Sequence, residues 1–261
     1  MEPRKQADIE KGRTVVARRD SVLRGRRALV VGGSGGIGRA VSLDLAARGA
    51  SLFIHGRTSS KVGDLVAAIR RDGGEAEGLA LDLDSPEPLL AVLNAAGAFD
   101  ILIVAFGPFV RKPFAAYSPS DWEKMVLLNL ALPGALASRL FPAMRDRGFG
   151  RILFFGGTRT DTIRGFTSNA AYAAAKTGLG VLAKSIAIEG AAHNVAAVTV
   201  CPGIVRTEYI GSAEASTLAL IAPGGQLSDP ADVAAIALDL IDRDPCIASG
   251  AVVSLDSGFA P

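Results

Sequence analysis

The sequence contains few of the residues that build disulfides and metal sites. Its 261 residues include two cysteines, Cys201 and Cys246, and two histidines, His55 and His193. The cysteines lack metal-ligand spacing and lie in apolar segments, which indicates buried thiols and a reducing, cytoplasmic compartment. Two histidines are too few for a histidine-based metal site. We therefore expect no metal centre.

An excess of one charge and long apolar runs are also lacking. The chain has 28 Lys and Arg against 26 Asp and Glu, a net charge of +2, which is too small to draw it strongly to nucleic acid or to a membrane. No apolar run approaches the roughly 20 residues that a membrane-spanning helix needs. The expected partner is a small-molecule substrate, with neither nucleic acid nor a membrane involved.

Basic residues concentrate at the N-terminus. Residues 1–25 mix seven Lys and Arg with four acids, without the apolar core of a signal peptide, and the acids argue against a transit peptide. We predict a basic extension over residues 1–25, either a solvated tail or a short helix packed on a partner subunit, before one domain over residues 26–261. An arm that binds nucleic acid is a less supported alternative.

Apolar strand patterns alternate with helical patterns along residues 26–261. This alternation predicts a single α/β domain, a Rossmann-type doubly wound parallel sheet in three α/β/α layers. Helices are expected at residues 170–190 and from Ser120 onward, the latter interrupted by Pro133. Ligands of such sheets bind outside the carboxyl ends of the strands. The strands are expected at residues 28–31, 51–55, 75–83, 100–105, 150–155, 195–201 and 251–255.

A glycine cluster separates the first strand from the first helix. Residues 32–38 are Gly-Gly-Ser-Gly-Gly-Ile-Gly. Glycines let the chain turn tightly and let backbone N–H groups approach a pyrophosphate, which the positive end of the helix also attracts. A glycine-rich turn without a ligand is the alternative. The predicted cofactor-binding residues of this turn are Gly32, Ser34, Gly35, Gly36, Ile37 and Gly38.

A tyrosine and a lysine stand four residues apart in the long helix near residue 175. Tyr172 and Lys176 therefore lie on one face, about one turn apart. A phenol is a weak acid-base catalyst at neutral pH, and a fixed cation nearby lowers its pKa. Tyr and Lys at this spacing are usually just surface neighbours, but together with the glycine turn the pair indicates proton exchange with a carbonyl or alcohol.

Taken together, the motifs resemble the short-chain dehydrogenase/reductase family over residues 25–261, and most closely its 3-oxoacyl-[acyl-carrier-protein] reductase-like branch. The resemblance implies hydride transfer between a nicotinamide cofactor and a carbonyl or alcohol, in a homodimer or homotetramer. The residues that carry it are the glycine turn at 32–38, Asp82 with Leu83, Asn129, Tyr172 with Lys176, Cys201-Pro202-Gly203 with Thr207, and the ending Ser249-Gly250 and Leu255-Asp256-Ser257-Gly258.

The resemblance also implies roles for these residues. Tyr172 would protonate the carbonyl oxygen, Lys176 would hold the nicotinamide ribose and lower the pKa of Tyr172, and Asn129 would hold a water in the proton relay. Asn129 could instead satisfy a buried backbone carbonyl, and Asp82 could be an ordinary loop carboxylate. The further residues assigned to the cofactor are Asp82, Leu83, Gly107, Pro202, Gly203 and Thr207.

Charge after the second strand bears on the choice of cofactor. An NAD enzyme places an acid there for the ribose 2′-hydroxyl, whereas this chain has Arg57 and no acid before Asp64. Arg57 is placed to pair with a 2′-phosphate, which predicts that NADP(H) is preferred over NAD(H). The alternative is that Arg57 is a solvated surface charge.

Three positions depart from the family pattern. Val31 replaces a threonine, and residues 104–107, Val-Ala-Phe-Gly, replace Asn-Asn-Ala-Gly so that only Gly107 survives. The third is the catalytic serine. Counting from the fifth strand gives Gly157, while counting back 13 residues from Tyr172 gives Arg159, so the loop looks two residues longer. Thr158 either supplies the hydroxyl that polarises the carbonyl or is only a turn residue.

These features predict an NADP-dependent ketoreductase, with 3-oxoacyl thioesters among its candidate substrates. The substrate is expected between Tyr172, a loop at 106–114 with phenylalanines and a basic rim, and a lid at 208–227. One alternative is a catalytically weak or inactive scaffold that binds NADP(H) as a sensor or structural subunit. Another is an interaction module that uses residues 1–25.

Overall fold

Seven short apolar strands form one parallel sheet in the computed structural model, which describes residues 21–258. The strand order is β3-β2-β1-β4-β5-β6-β7, and every neighbouring pair is parallel. The strands are β1 Arg27–Val31, β2 Ser51–Gly56, β3 Ala76–Ala80, β4 Ile101–Val104, β5 Gly150–Phe155, β6 Val195–Pro202 and β7 Val252–Leu255.

Helices alternate with these strands and cover both faces of the sheet. Side chains on successive strand residues point to opposite faces, so Val30 packs under α1, α2 and α8, while Leu29 packs under α3, α5 and α6. The predicted three-layer doubly wound fold is confirmed. The helices are α1 Gly36–Ala47, α2 Ser59–Arg71, α3 Glu87–Ala96, α4 Pro119–Val126, α5 Leu132–Asp146, α6 Ala170–Gly190, α7 Ser212–Ala219 and α8 Pro230–Ile241.

Strand ends are set by pairing as well as by apolar content. The prediction extended β3 to residue 83, but it ends at Ala80, which pairs with Gly56, the last residue of β2. Likewise β4 ends at Val104, opposite Val31, because Gly32 then turns away with φ +78°. One further backbone hydrogen bond follows each strand, from Leu81 to Gly56 and from Ala105 to Val31, and the pairing then ends.

The long helix after β4 differs from its prediction in where it starts and in how it is interrupted. It begins earlier, because Ser118 accepts a hydrogen bond from the Asp121 N–H and the Asp121 carboxylate accepts one from the Ser118 N–H, a capping box. Its interruption is a π turn at Leu127–Ala131, where the N–H of Leu132 reaches the carbonyl five residues back. This wide turn immediately precedes Pro133, which has no N–H to donate.

The same helix corrects the expectation about apolar runs. Pro119–Asp146 spans 28 residues and contains an 18-residue window with a mean hydropathy of 1.4, so by length and composition it could cross a membrane. Half of that window is buried inside the protein. Its buried residues pack against the sheet and α6, which is the environment of a core helix.

The start of the described chain meets the end of α8 beside α1. Leu23, within the predicted extension, is fully buried in the core, and Ser21 donates a hydrogen bond to Asp242 at 2.9 Å. Arg48 at the end of α1 pairs with Asp239 of α8 at 2.7 Å and with Asp242 at 2.9 Å. Residues 1–20 and 259–261 lie outside the described residues, and with them most of the predicted basic extension.

Candidate active site

The turns that follow the strands gather at one edge of the sheet. The glycine turn after β1 can be built only from glycine at several places, since Gly32 and Gly36 have φ +78° and +50°. A Cβ on Gly38 would collide with the carbonyl oxygen of Gly32. That carbonyl group and the first turn of α1 therefore pack closely, with no room for a side chain between them, and the positive end of α1 begins at this turn.

A buried histidine fixes the glycine turn from the neighbouring strand. His55 lies at the end of β2 and is 1% exposed. Its Nε2 lies 2.9 Å from the carbonyl oxygen of Leu81, and Gly32 N–H donates to its Nδ1 at 3.3 Å, which assigns the proton to Nε2. Burial lowers the pKa of His55, so the neutral ring is favoured. The sequence signal for this contact is a lone polar residue in an apolar strand.

Tyr172 and Lys176 share one face of α6, as predicted. Lys176 is 4% exposed, and its Nζ lies 5.8 Å from the ring centroid of Tyr172. The ammonium donates to the carbonyl oxygens of Phe155 at 2.8 Å and of Phe106 at 3.3 Å. These contacts hold it between the end of β5 and the loop after β4.

The pKa values of the pair differ from the expectation. Burial lowers the pKa of Lys176 to about 8. Burial also raises the pKa of Tyr172, whereas the sequence predicted that Lys176 would lower it. The reason is that desolvation of the phenolate outweighs an ammonium that is directed at backbone carbonyls. The phenol is therefore protonated at neutral pH.

Asn129 is carried inward by the π turn and is fully buried. Its Nδ2 donates to the carbonyl oxygen of Pro108 at 3.0 Å, so it does satisfy a buried backbone carbonyl. Its Oδ1 has no hydrogen-bond partner among residues 21–258. A Cβ on Gly107 would collide with that oxygen and lie 3.1 Å from Nζ of Lys176, so Asn129, Gly107 and Lys176 converge on one point.

The loop after β5 contains glycine where the family has a serine. A Cβ on Gly157 would lie 3.1 Å from the hydroxyl oxygen of Tyr172 and 2.7 Å from its ring, which makes Gly157 the residue that faces the phenol. This position favours the count from the strand. Arg159, given by the other count, is a loop residue with φ +64°.

Two threonines of this loop have engaged hydroxyls. Thr158 donates to the carbonyl oxygen of Gly203 at 3.2 Å. Buried Thr160 accepts from the N–H of Gly157 at 2.8 Å and donates back to its carbonyl oxygen at 2.9 Å. The contact of Thr160 was not foreseen from the sequence. It closes the lengthened loop and leaves Gly157 beside Tyr172 without a side-chain donor.

The remaining predicted cofactor residues lie at the same edge but differ in exposure. Pro202 and Gly203 are buried at the end of β6, and Leu83 belongs to the core with 3% exposure. Asp82 is exposed and accepts from the N–H of Leu83 at 3.1 Å. Arg57 is exposed directly before α2, and its side chain forms no hydrogen bond with residues 21–258. Thr207 packs against the glycine turn near Gly36.

The loop over Tyr172 is aromatic, with little free positive charge. Phe109 is half exposed, and its ring meets that of Tyr172 edge to face at 4.9 Å. Lys112, predicted to lie on a basic rim, instead pairs with Asp121 at 2.6 Å. Arg111 stacks over Phe109 at 5.8 Å. The surface beside the phenol is therefore mainly apolar, with one arginine at its border.

This arrangement defines a dinucleotide-dependent oxidoreductase of the doubly wound α/β class. The family model described as short chain dehydrogenase matches residues 26–217, and the chain belongs to that family. The 3-oxoacyl-[acyl-carrier-protein] reductase FabG of Vibrio cholerae is 31% identical over 247 residues, which cover 91% of this chain and 98% of that protein.

Solved structures agree with this assignment. A 3-oxoacyl (acyl-carrier-protein) reductase from Agrobacterium tumefaciens C58 with NADP bound is 28% identical, with a TM-score of 0.83 over 91% of this chain and 95% of that one. A blue fluorescent protein from a metagenomic library, in complex with NADPH, is 26% identical, with a TM-score of 0.82 over 92% of this chain and 99% of that one. The chain is thus an oxidoreductase that acts on a carbonyl or alcohol with a nicotinamide cofactor, in the FabG-like branch of its family.

Proposed function

We propose that the protein is an NADP(H)-dependent ketoreductase in which Tyr172 is the proton donor. The observation that carries this proposal is the convergence of Tyr172, Lys176 and Asn129 beside a glycine turn that only glycine can form. The turn fits a pyrophosphate, because a Cβ on Gly38 would be excluded and the amides at the start of α1 can donate to an anion. 3-Oxoacyl thioesters are the first substrate class to test.

A nicotinamide cofactor held at this site would supply the hydride for the carbonyl carbon. The Tyr172 hydroxyl would give its proton to the carbonyl oxygen, and the raised pKa of this phenol keeps it protonated at neutral pH. Lys176, fixed by the carbonyls of Phe155 and Phe106, would hold the nicotinamide ribose hydroxyls. Asn129 offers its unpaired Oδ1 to a water that returns a proton toward Lys176.

NADP(H) is preferred in this proposal over NAD(H). Arg57 is exposed at the end of β2 and is available for a 2′-phosphate. The adenine side would be lined by Asp82, Leu83 and Gly107, and the nicotinamide side by Pro202, Gly203 and Thr207. Their common position at the carboxyl edge of the strands supports this assignment.

The experiment is an assay of NADPH oxidation against a panel of ketones and 3-oxoacyl thioesters. Tyr172→Phe removes the proton donor, so turnover should fall by about 100- to 10,000-fold while NADPH affinity is retained. Tyr117→Phe is the matched control, since its hydroxyl donates to the backbone carbonyls of Val110 and Ser168. Full turnover by Tyr172→Phe would refute the proposed donor.

A weakly active or inactive NADP(H)-binding protein is the second candidate. The observation that favours it is the loop after β5, where Gly157 faces the phenol and the Thr158 hydroxyl is engaged by Gly203. Loss of one such donor commonly costs about 100- to 1000-fold in rate. Tight NADPH binding without turnover on any substrate of the panel would favour a sensor or structural role.

Assembly and location complete the proposal. Val181 and Ile188 are 65% and 82% exposed on α6, an apolar surface suited to a homodimer or homotetramer. Sedimentation of a monomer would contradict this. We expect a cytoplasmic protein, because Cys201 and Cys246 are both free thiols. Deletion of residues 1–20 without any change in assembly would argue against a docking role for the extension.

A further inference from the structure

The segment after β6 returns across the molecule to the glycine turn. The Glu208 carboxylate accepts a hydrogen bond at 3.0 Å from the N–H of Gly36, the first residue of α1 and 172 positions away in sequence. Its other oxygen lies 3.4 Å from Nζ of Lys61, in the first turn of α2. One acidic side chain therefore connects the starts of two helices at the cofactor edge.

Tyr209 covers the residue just before this contact. A Cβ on Gly35 would collide with the hydroxyl of Tyr209, and Lys61 Nζ lies 5.1 Å from the centroid of the tyrosine ring. The ring is 66% exposed, so burial of apolar surface does not explain its position. Glu208 and Tyr209 together cover the glycine turn from outside.

The chemistry of this contact is that of an anion at a helix N-terminus. The N-cap of α1, Gly35, provides no side-chain cap, and the first turn of α1 contains no acid. The carboxylate of Glu208 thus supplies the negative charge that the amides and the helix dipole favour. A dinucleotide pyrophosphate requires the same amides, and it would be repelled by a carboxylate that stays there.

We propose that Glu208 is an intramolecular competitor for the pyrophosphate position. Glu208 and Tyr209 cover the glycine turn, and they must move off it, releasing Lys61, before the dinucleotide can bind. This inference rests on the NADP(H) binding proposed above. It also links cofactor binding to the predicted lid, because residues 207–209 lead directly into α7 at Ser212–Ala219.

The test is the affinity of the full chain for NADPH, measured by fluorescence titration. Glu208→Ala removes the competing carboxylate, so the dissociation constant should fall by about 3- to 10-fold, the factor that a partly exposed charge at a helix end can supply. Glu214→Ala is the matched control, because it deletes an exposed acid of the same segment away from the glycine turn; its affinity should equal that of the wild type. An affinity for NADPH that is unchanged or weakened in Glu208→Ala overturns the proposal.

A second measurement does not depend on the cofactor. Hydrogen exchange of the Gly36 amide, measured without NADPH, should accelerate in Glu208→Ala and remain unchanged in Glu214→Ala. Equal protection of Gly36 in Glu208→Ala and wild type would refute the contact itself. If no variant bound NADPH, the proposed function would fail and the competition with it, whereas normal NADPH binding with no effect of Glu208→Ala would refute only the competition.

Discussion

The glycine turn after β1 and the loop after β5 face the same cleft, but they differ in how they are built. The turn brings two backbone segments close together, as at Gly38, where a Cβ would collide with the Gly32 carbonyl oxygen. The loop after β5 instead places Gly157 beside the Tyr172 phenol, where the family resemblance predicts a serine hydroxyl. The glycine turn therefore keeps the backbone geometry of its motif, while the loop beside the phenol lacks the expected side chain.

The largest effect is expected from a substitution within the glycine turn. Gly38→Ala adds a Cβ that collides with the Gly32 carbonyl oxygen, so we expect about 1–3 kcal/mol lower unfolding free energy. NADPH binding should weaken by about 100-fold or more, because the turn must open. Urea unfolding and fluorescence titration measure the two effects.

The control for this change is another glycine in a helix. Gly63→Ala adds a Cβ within α2 that meets open space, and it should stabilise the fold by about 0.5–1 kcal/mol. If Gly38→Ala behaved like Gly63→Ala, the close approach of the two backbone segments would be wrong.

The catalytic side can be tested by adding the hydroxyl of the family serine. Gly157→Ser places a Cβ 2.7 Å from the Tyr172 ring, so the phenol must shift, and turnover should fall by about 10- to 100-fold instead of rising. NADPH affinity should be unchanged. A rise in kcat would mean that the ring has room and that a missing hydroxyl limits the enzyme.

Thr158→Val provides the matched comparison in the same loop. The hydroxyl of Thr158 donates to Gly203, so its loss should lower stability by about 0.5–1.5 kcal/mol and leave kcat within about threefold. A much larger loss of kcat would identify Thr158 as the group that polarises the carbonyl.

The cofactor side can also be tested through the choice between NADPH and NADH. Arg57→Ala should weaken NADPH binding by about 10-fold, or ~1.4 kcal/mol, and leave NADH binding nearly unchanged, because only NADPH carries the 2′-phosphate. Arg71→Ala, an exposed arginine at the far end of α2, should change neither affinity. An equal ratio of the two affinities in Arg57→Ala and wild type would end the predicted preference for NADP(H).

The smallest expected effect concerns the histidine that braces the turn. Burial lowers the pKa of His55 in the folded chain. As pH falls below about 6.5, the usual pKa of histidine, His55 is therefore protonated in the unfolded chain before it is protonated in the folded chain. Stability should therefore decline in the interval below about pH 6.5, by at most about 1.4 kcal/mol per pH unit.

Variants of the two histidines isolate this contribution. His55→Gln should be less stable at neutral pH, yet its unfolding free energy should lack the decline in this interval. Exposed His193→Gln should keep the full decline. Thermal unfolding at several pH values measures both, and a decline that persists in His55→Gln would assign it to other groups.

Local signals predicted much of this molecule from sequence. The bounds of α6 and the position of the glycine turn follow from patterns a few residues long. The end of β3 could not be predicted, because it is set by the last residue of β2. The pKa of Tyr172 was misjudged because burial depends on the whole fold, including the ring of Phe109.

Contacts between distant residues were beyond the reach of sequence patterns. Nothing in the sequence near Glu208 and Tyr209 indicates that they cover Gly35 and Gly36. The two possible counts for the serine position were resolved only when Gly157 was seen against the phenol. Side chains whose partners are far away in sequence therefore account for most of what was missed.

Arg48 links the last helix, α8, to the first helix, α1. The family match ends at residue 217, yet Asp239 and Asp242 on the far side of that limit hold the end of α1 through this one guanidinium. A protein truncated at the end of the match would leave Val41 and Leu45 uncovered. The half of the sheet that carries the glycine turn therefore depends for part of its cover on a helix that lies beyond the family match.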